Sequence, residues 1–177
     1  MTSYILILTN FLIGFTFFSD ILFHQHNQTF LHTYENSQLT SILKDRKIHE
    51  QALCTESPFL VESLIILGSK LGVKIMQGTP EIKGMDATYT AFQGRLGYIT
   101  LTNRKLSPIV YCQLITHEFI HVLQHINGRL KEVLPLDWDL TYNQIYSQKS
   151  LQEAEAYAYQ NFIGKIYFLL KEYRDSY

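Results

Sequence analysis

Cysteine is scarce in this chain. Cys54 and Cys112 are the only two in 177 residues, and they fit no metal-binding or redox spacing. Two buried thiols are therefore expected, with a single disulfide as the alternative. An excess of charge of either sign is also lacking, since 15 basic and 16 acidic residues leave a net charge of -1. Without a polybasic run, a nucleic-acid partner has no electrostatic footprint. Proline and glycine, at 4 and 9 residues, form no low-complexity tract, and no internal repeat is visible. What is present is a composition 46% hydrophobic and 14% aromatic, which suits one globular domain with a short appendage.

One long apolar run stands out. Residues 4–23 reach the length of about 20 that a membrane helix needs, with polar interruptions only at Thr9, Asn10, Thr16, Ser19 and Asp20. An N-terminal membrane anchor is the expectation. A cleavable signal would want a positive leading segment and a small-residue cleavage site, and neither is evident. A helix packed on the domain is the other alternative, because Asn10 and Asp20 are costly in lipid. The chain then divides into a hydrophobic segment over 1–25, a polar linker over 26–36 and a domain over 37–177. Sidedness is open, since the first Lys or Arg is Lys44.

The domain is expected to be α+β. An amphipathic helix is predicted over Ser37–Leu53, and a second opens at Ser57-Pro58 and closes between Gly68 and Gly72. Short β-prone runs follow at Val73–Met76, Ala87–Phe92 and Gly97–Thr102, separated by glycine-containing turns. Ser107-Pro108 then caps a helix that runs uninterrupted by Gly or Pro to Ile126. Gly128 is its expected stop, and Leu134–Trp138 a loop. Trp138 is expected to plug the core, with contact to a substrate as the alternative. A long final helix is predicted from Leu151 to Tyr173.

Inside the capped helix lies His117-Glu118-Phe119-Ile120-His121. Residues four apart share a helix face, so His117 and His121 can direct two imidazoles at one metal ion, with zinc the natural occupant. Glu118 is turned about 100° from His117 and lies beside such an ion, placed to handle the proton of an attacking water. Three protein ligands leave one position open, which is the chemistry of metal-assisted hydrolysis. The metzincin continuation is excluded: Gln124 stands where it needs Gly, Asn127 where it needs His, and Met1, Met76 and Met85 all precede the motif. His125 would lie about 12 Å from His117 along a straight helix, too far to share the ion, so it is read as supporting or surface. The remaining source of a third ligand is Glu153 or Glu155, about 200° apart on the last helix, so that only one can face the metal.

Glu153-Ala154-Glu155-Ala156, following the motif helix by some tens of residues, resembles the ligand helix of gluzincin-type zincin metallopeptidases. The resemblance covers residues 73–170 and extends to small uncharacterised His-Glu-x-x-His proteins of cyanobacteria and plastids. It implies a zincin-like fold: a small mixed or antiparallel sheet, an active-site helix, and a C-terminal helix carrying the third ligand. It implies one zinc per chain held by His117, His121 and Glu153, with Glu155 the alternative, and Glu118 as general base toward a peptide or protein substrate. Tyr157 stands where the family usually has Asp or Asn. An oxyanion donor or supporting residue is sought among Tyr157, His125, Tyr142 and Tyr159. By resemblance, the strand of Gly97, Tyr98, Ile99, Thr100 and Leu101 pairs with substrate.

Three readings therefore stand. One is an active zinc peptidase tethered to a membrane, the second a catalytically silent zincin-fold peptide-binding protein, and the third a helical membrane protein with a coincidental motif. Richness in Phe, Tyr, Ile, Asn and Lys suggests an AT-rich genome, as in plastids and many bacteria.

Overall fold

A helix that buries one face needs apolar or small residues every three to four positions. Val61, Leu64, Leu67 and Gly68 supply that spacing in α1 (Leu60–Leu71), which ends at Gly72 in the left-handed conformation. These elements belong to a computed structural model that describes residues 50–176, within the compact unit Lys47–Tyr177. The apolar run at 4–23, the linker and all but the last four residues of the helix expected over Ser37–Leu53 lie outside the described residues. Ala52 and Leu53, which are described, are not helical. No helix among the described residues is long and apolar enough to cross a membrane.

The sheet has three strands, β1 (Lys74–Gln77), β2 (Ala87–Phe92) and β3 (Arg95–Leu101). Their spatial order is β1-β3-β2, with β1 parallel to β3 and β2 antiparallel to it, so the sheet is mixed. This order corrects the expected substrate strand. Tyr98, Ile99, Thr100 and Leu101 lie between β1 and β2, and the Gly97 N–H donates to the Tyr89 hydroxyl, so this stretch of β3 offers no free edge to an extended peptide. The outer strand next to the motif helix is β2. Gly97 has its own reason to be glycine: a Cβ there would sit 1.7 Å from the carbonyl oxygen of Thr90 across the hairpin.

Helix α2 (Pro108–Asn127) is the 20-residue centre of the fold. The Ser107 hydroxyl accepts from the Val110 N–H and Pro108 occupies the first turn, the expected start. It packs against α1, β2, β3, α4 (Leu151–Tyr159) and α5 (Ile163–Asp175), which is why Ile115, Phe119, Ile120 and Val122 are all fully buried. It stops at Gly128, but the left-handed residues are Arg129 and Leu130. Glycine is required at 128 by crowding, since a Cβ would lie 1.9 Å from the Glu132 carbonyl oxygen. Leu134–Trp138 is a loop as expected, followed by the short α3 (Tyr142–Tyr146), opened by a Thr141/Gln144 capping box.

Two expectations are overturned. The single helix predicted from Leu151 to Tyr173 is two, broken at Gln160, Asn161 and Phe162. The break provides backbone groups for a neighbour: Asn161 O accepts from Cys54 N at 2.8 Å, and Gly164 N donates to Ala52 O at 3.0 Å. The cysteines are not two thiols but a disulfide, Cys54–Cys112, with Cα atoms 5.6 Å apart. It joins the segment before α1 to the first half of α2, 58 residues apart, a proximity created only by the packing.

Candidate metal centre

Helical spacing makes the first half of the site. His117 and His121, one turn apart on α2, turn their Nε2 atoms toward one another at 3.3 Å, with ring centroids 5.0 Å apart. Helix α4 brings the third group. Ser150 caps it by accepting from Glu153 N at 3.2 Å, which places Glu153 in the first turn, where the helix N-terminus favours a negative charge. The Glu153 carboxylate straddles the two imidazoles, with Oε2 3.5 Å from His117 Nε2 and Oε1 3.4 Å from His121 Nε2.

These separations provide a test of fit. Tetrahedral coordination with bonds of about 2.0–2.1 Å places neighbouring ligand atoms about 3.3–3.4 Å apart. The two Nε2 atoms lie 3.3 Å apart, and each has one Glu153 oxygen at 3.4–3.5 Å, separations of that order, so His117, His121 and Glu153 are a group that could hold one metal ion. His117 is 4% exposed and Glu153 31%, so the group is protein-lined on the imidazole side and open on the carboxylate side. The two imidazoles hold the Glu153 carboxyl far below the usual carboxylate range. Burial pushes the His121 pKa down, but its hydrogen bond to Glu153 and the charge of Glu118 outweigh this and raise it.

Glu118 is 3% exposed, and burial raises its pKa against the lowering effect of both histidines. The Tyr89 backbone on β2 also acts against that rise. That backbone belongs to the outer edge of the sheet. Thr102 N donates to Asp86 O at 2.8 Å, so by the alternation of an antiparallel ladder Thr88 and Thr90 bond to β3. Ala87 and Tyr89 consequently turn their backbone groups outward, toward α2.

Glu155 faces away from the imidazoles. It is 1% exposed and accepts from Leu136 N at 2.8 Å, from Trp138 N at 3.1 Å and from Gln124 Nε2 at 2.9 Å. Of the oxyanion candidates, Tyr157 alone adjoins the centre, its ring 4.6 Å from that of His117. Burial raises its pKa, and the charges of Glu153 and Glu118 add to that. The others are placed elsewhere. Tyr159 donates to Asp139 O at 3.0 Å and packs on Trp138, while Tyr142 stacks on Tyr146 in α3. His125 is buried behind the centre, 2.8 Å from the Tyr89 hydroxyl.

Trp138 packs against the core and beneath the Lys165 ammonium, 4.0 Å from its ring. It lines a cavity of about 310 Å³ with Leu140, Ile145, Leu151 and Glu155, which none of the three metal-facing residues joins. Two residues of the site were not anticipated from sequence. Gln124, three residues after His121 on the same helix face, was legible from spacing, and its Oε1 lies 2.7 Å from His121 Nδ1. Tyr89, far away in sequence, left no such signal. No protein-family model, curated protein or solved structure matches the chain.

Proposed function

We propose that the protein is a zinc-dependent peptidase of zincin-like architecture. The observation that carries this reading is the convergence of His117, His121 and Glu153 at ligand spacing with the buried carboxylate of Glu118 beside them. When bound, zinc would polarise the substrate carbonyl and lower the pKa of water at the open position to about 7. Glu118, buried beside the two histidines, takes the proton of the attacking water and delivers it to the leaving amine. Its raised pKa suits a group that must both accept and release a proton near neutrality. Tyr157, its ring 4.6 Å from that of His117, supplies the hydroxyl that donates to the developing oxyanion.

The buried Cys54–Cys112 disulfide supports maturation in an oxidising compartment. That agrees with export of the domain behind the apolar segment at 4–23. The test is zinc content and turnover of a peptide mixture by the purified full chain. About one zinc per chain is expected, with Glu118→Gln keeping the metal and losing hydrolysis and His117→Ala losing the metal. Hydrolysis by metal-loaded Glu118→Gln would remove Glu118 as the base. Failure of the folded wild type to bind zinc would remove the peptidase reading as a whole.

A further inference from the structure

We propose that Gln124 is a positioning residue that sets the proton of His121 on Nδ1, and that Glu155 acts on the metal centre by holding Gln124 in place. This rests on the metal-site reading above but not on peptidase activity. Donor and acceptor bookkeeping carries the argument. Gln124 is fully buried, and its Nε2 lies 2.9 Å from both Gln152 O and Glu155 Oε2. A carbonyl oxygen and a carboxylate oxygen only accept here, so both amide protons of Gln124 are committed to them. The orientation of the amide is thus dictated by its partners, and Oε1 is the atom that faces His121.

An amide oxygen only accepts. The His121 Nδ1 at 2.7 Å must therefore carry the hydrogen. In the neutral ring this leaves the lone pair on Nε2, the atom 3.3 Å from His117 Nε2 and 3.4 Å from Glu153 Oε1. The opposite tautomer would set the Nδ1 lone pair against the buried Gln124 oxygen, whereas the Nε2 lone pair left here faces Glu153 and His117, where a cation would accept it. Metal-ligating histidines gain affinity and orientation from such outer partners. The device differs from a direct carboxylate contact because the charge of Glu155 is relayed through an amide.

Glu155 makes the relay part of the fold. Its carboxylate also accepts from the Leu136 and Trp138 N–H groups, so one buried side chain binds the loop after α2 to the support of a metal-facing histidine. Because Glu153 and Glu155 are two residues apart, α4 presents one to the centre directly and the other to Gln124 from its opposite face.

The experiment uses the full chain and zinc alone as the probe, with affinity read by competition against a chromophoric chelator. Gln124→Met keeps the volume of the side chain and removes the acceptor, and thermal unfolding checks that it folds. It should weaken zinc binding by about 10- to 100-fold. In zinc-free protein at alkaline pH, ring-nitrogen NMR should show the His121 proton on Nδ1 in the wild type and shared between both nitrogens in Gln124→Met. Glu155→Gln should weaken zinc less, and add nothing further in the double variant, because its effect passes through Gln124. A wild-type proton on Nε2, or Gln124→Met binding zinc as tightly as wild type, would overturn the positioning role. Additive losses in the double variant would overturn the relay. A wild type that binds no zinc while its His121 proton sits on Nδ1 would instead overturn the metal centre on which the proposal rests.

Discussion

His121 and His125 lie one turn apart on the same helix and are held in opposite ways. The Tyr89 hydroxyl accepts from Gly97 N at 3.0 Å, so its own proton goes to His125 Nδ1 at 2.8 Å. The other ring nitrogen of His125 then carries the hydrogen. A second proton would have to enter at Nδ1, against the Tyr89 donor. Burial accordingly pushes the His125 pKa below its ordinary value, with the Leu130 contact opposing weakly. The unfolded chain binds that proton near pH 6.5 and the folded one only lower, so His125 costs stability as pH falls through this window. The cost accrues at up to about 1.4 kcal/mol per pH unit. In urea denaturation of zinc-free protein between about pH 7 and pH 5.5, the wild type should lose stability more steeply than His125→Gln. Equal slopes would mean that His125 takes up its proton in the fold.

At the scale of elements, the metal-facing residues come from two helices, and each is anchored away from the site. Helix α2 is tied by the disulfide at Cys112, five residues before His117, to the segment that also receives the α4–α5 break. Closing a loop of this length in the unfolded chain corresponds to about 4 kcal/mol of stability. Guanidinium denaturation of Cys54→Ser/Cys112→Ser should show a loss of that order relative to the oxidised wild type. An unchanged midpoint would mean that packing alone holds residues 52–55 on α2. Helix α4 is short because Asn161 serves that same segment, its Oδ1 accepting from Thr55 N at 3.2 Å. A longer helix would withdraw these groups from the contact.

For the molecule as a whole, a metal bound between α2 and α4 joins elements otherwise held by packing and the Gln124–Glu155 bonds. A ligand that binds only the folded state stabilises it by about 4 kcal/mol at a thousandfold excess over Kd. Zinc should therefore raise Tm by several degrees or more in a concentration-dependent manner, and a chelator should reverse the rise. His117→Ala should abolish the shift while retaining the fold. A zinc response that survives in that variant would place the ion elsewhere.

By itself the sequence determined the α+β class, the capped helix from Ser107 to Asn127, the positions of three strands and the facing of His117 and His121. All of these depend on spacings within one element, where 3.6-residue and two-residue periods speak directly. The same spacing showed that Glu153 and Glu155 could not both face the centre, but not which one would. That choice, the central place of β3, the break after Tyr159, the Cys54–Cys112 pair and the contact of Tyr89 with His125 are decisions of tertiary structure. Each pairs residues distant along the chain. Whether such groups meet depends on how several buried faces pack at once, a balance that no local pattern records.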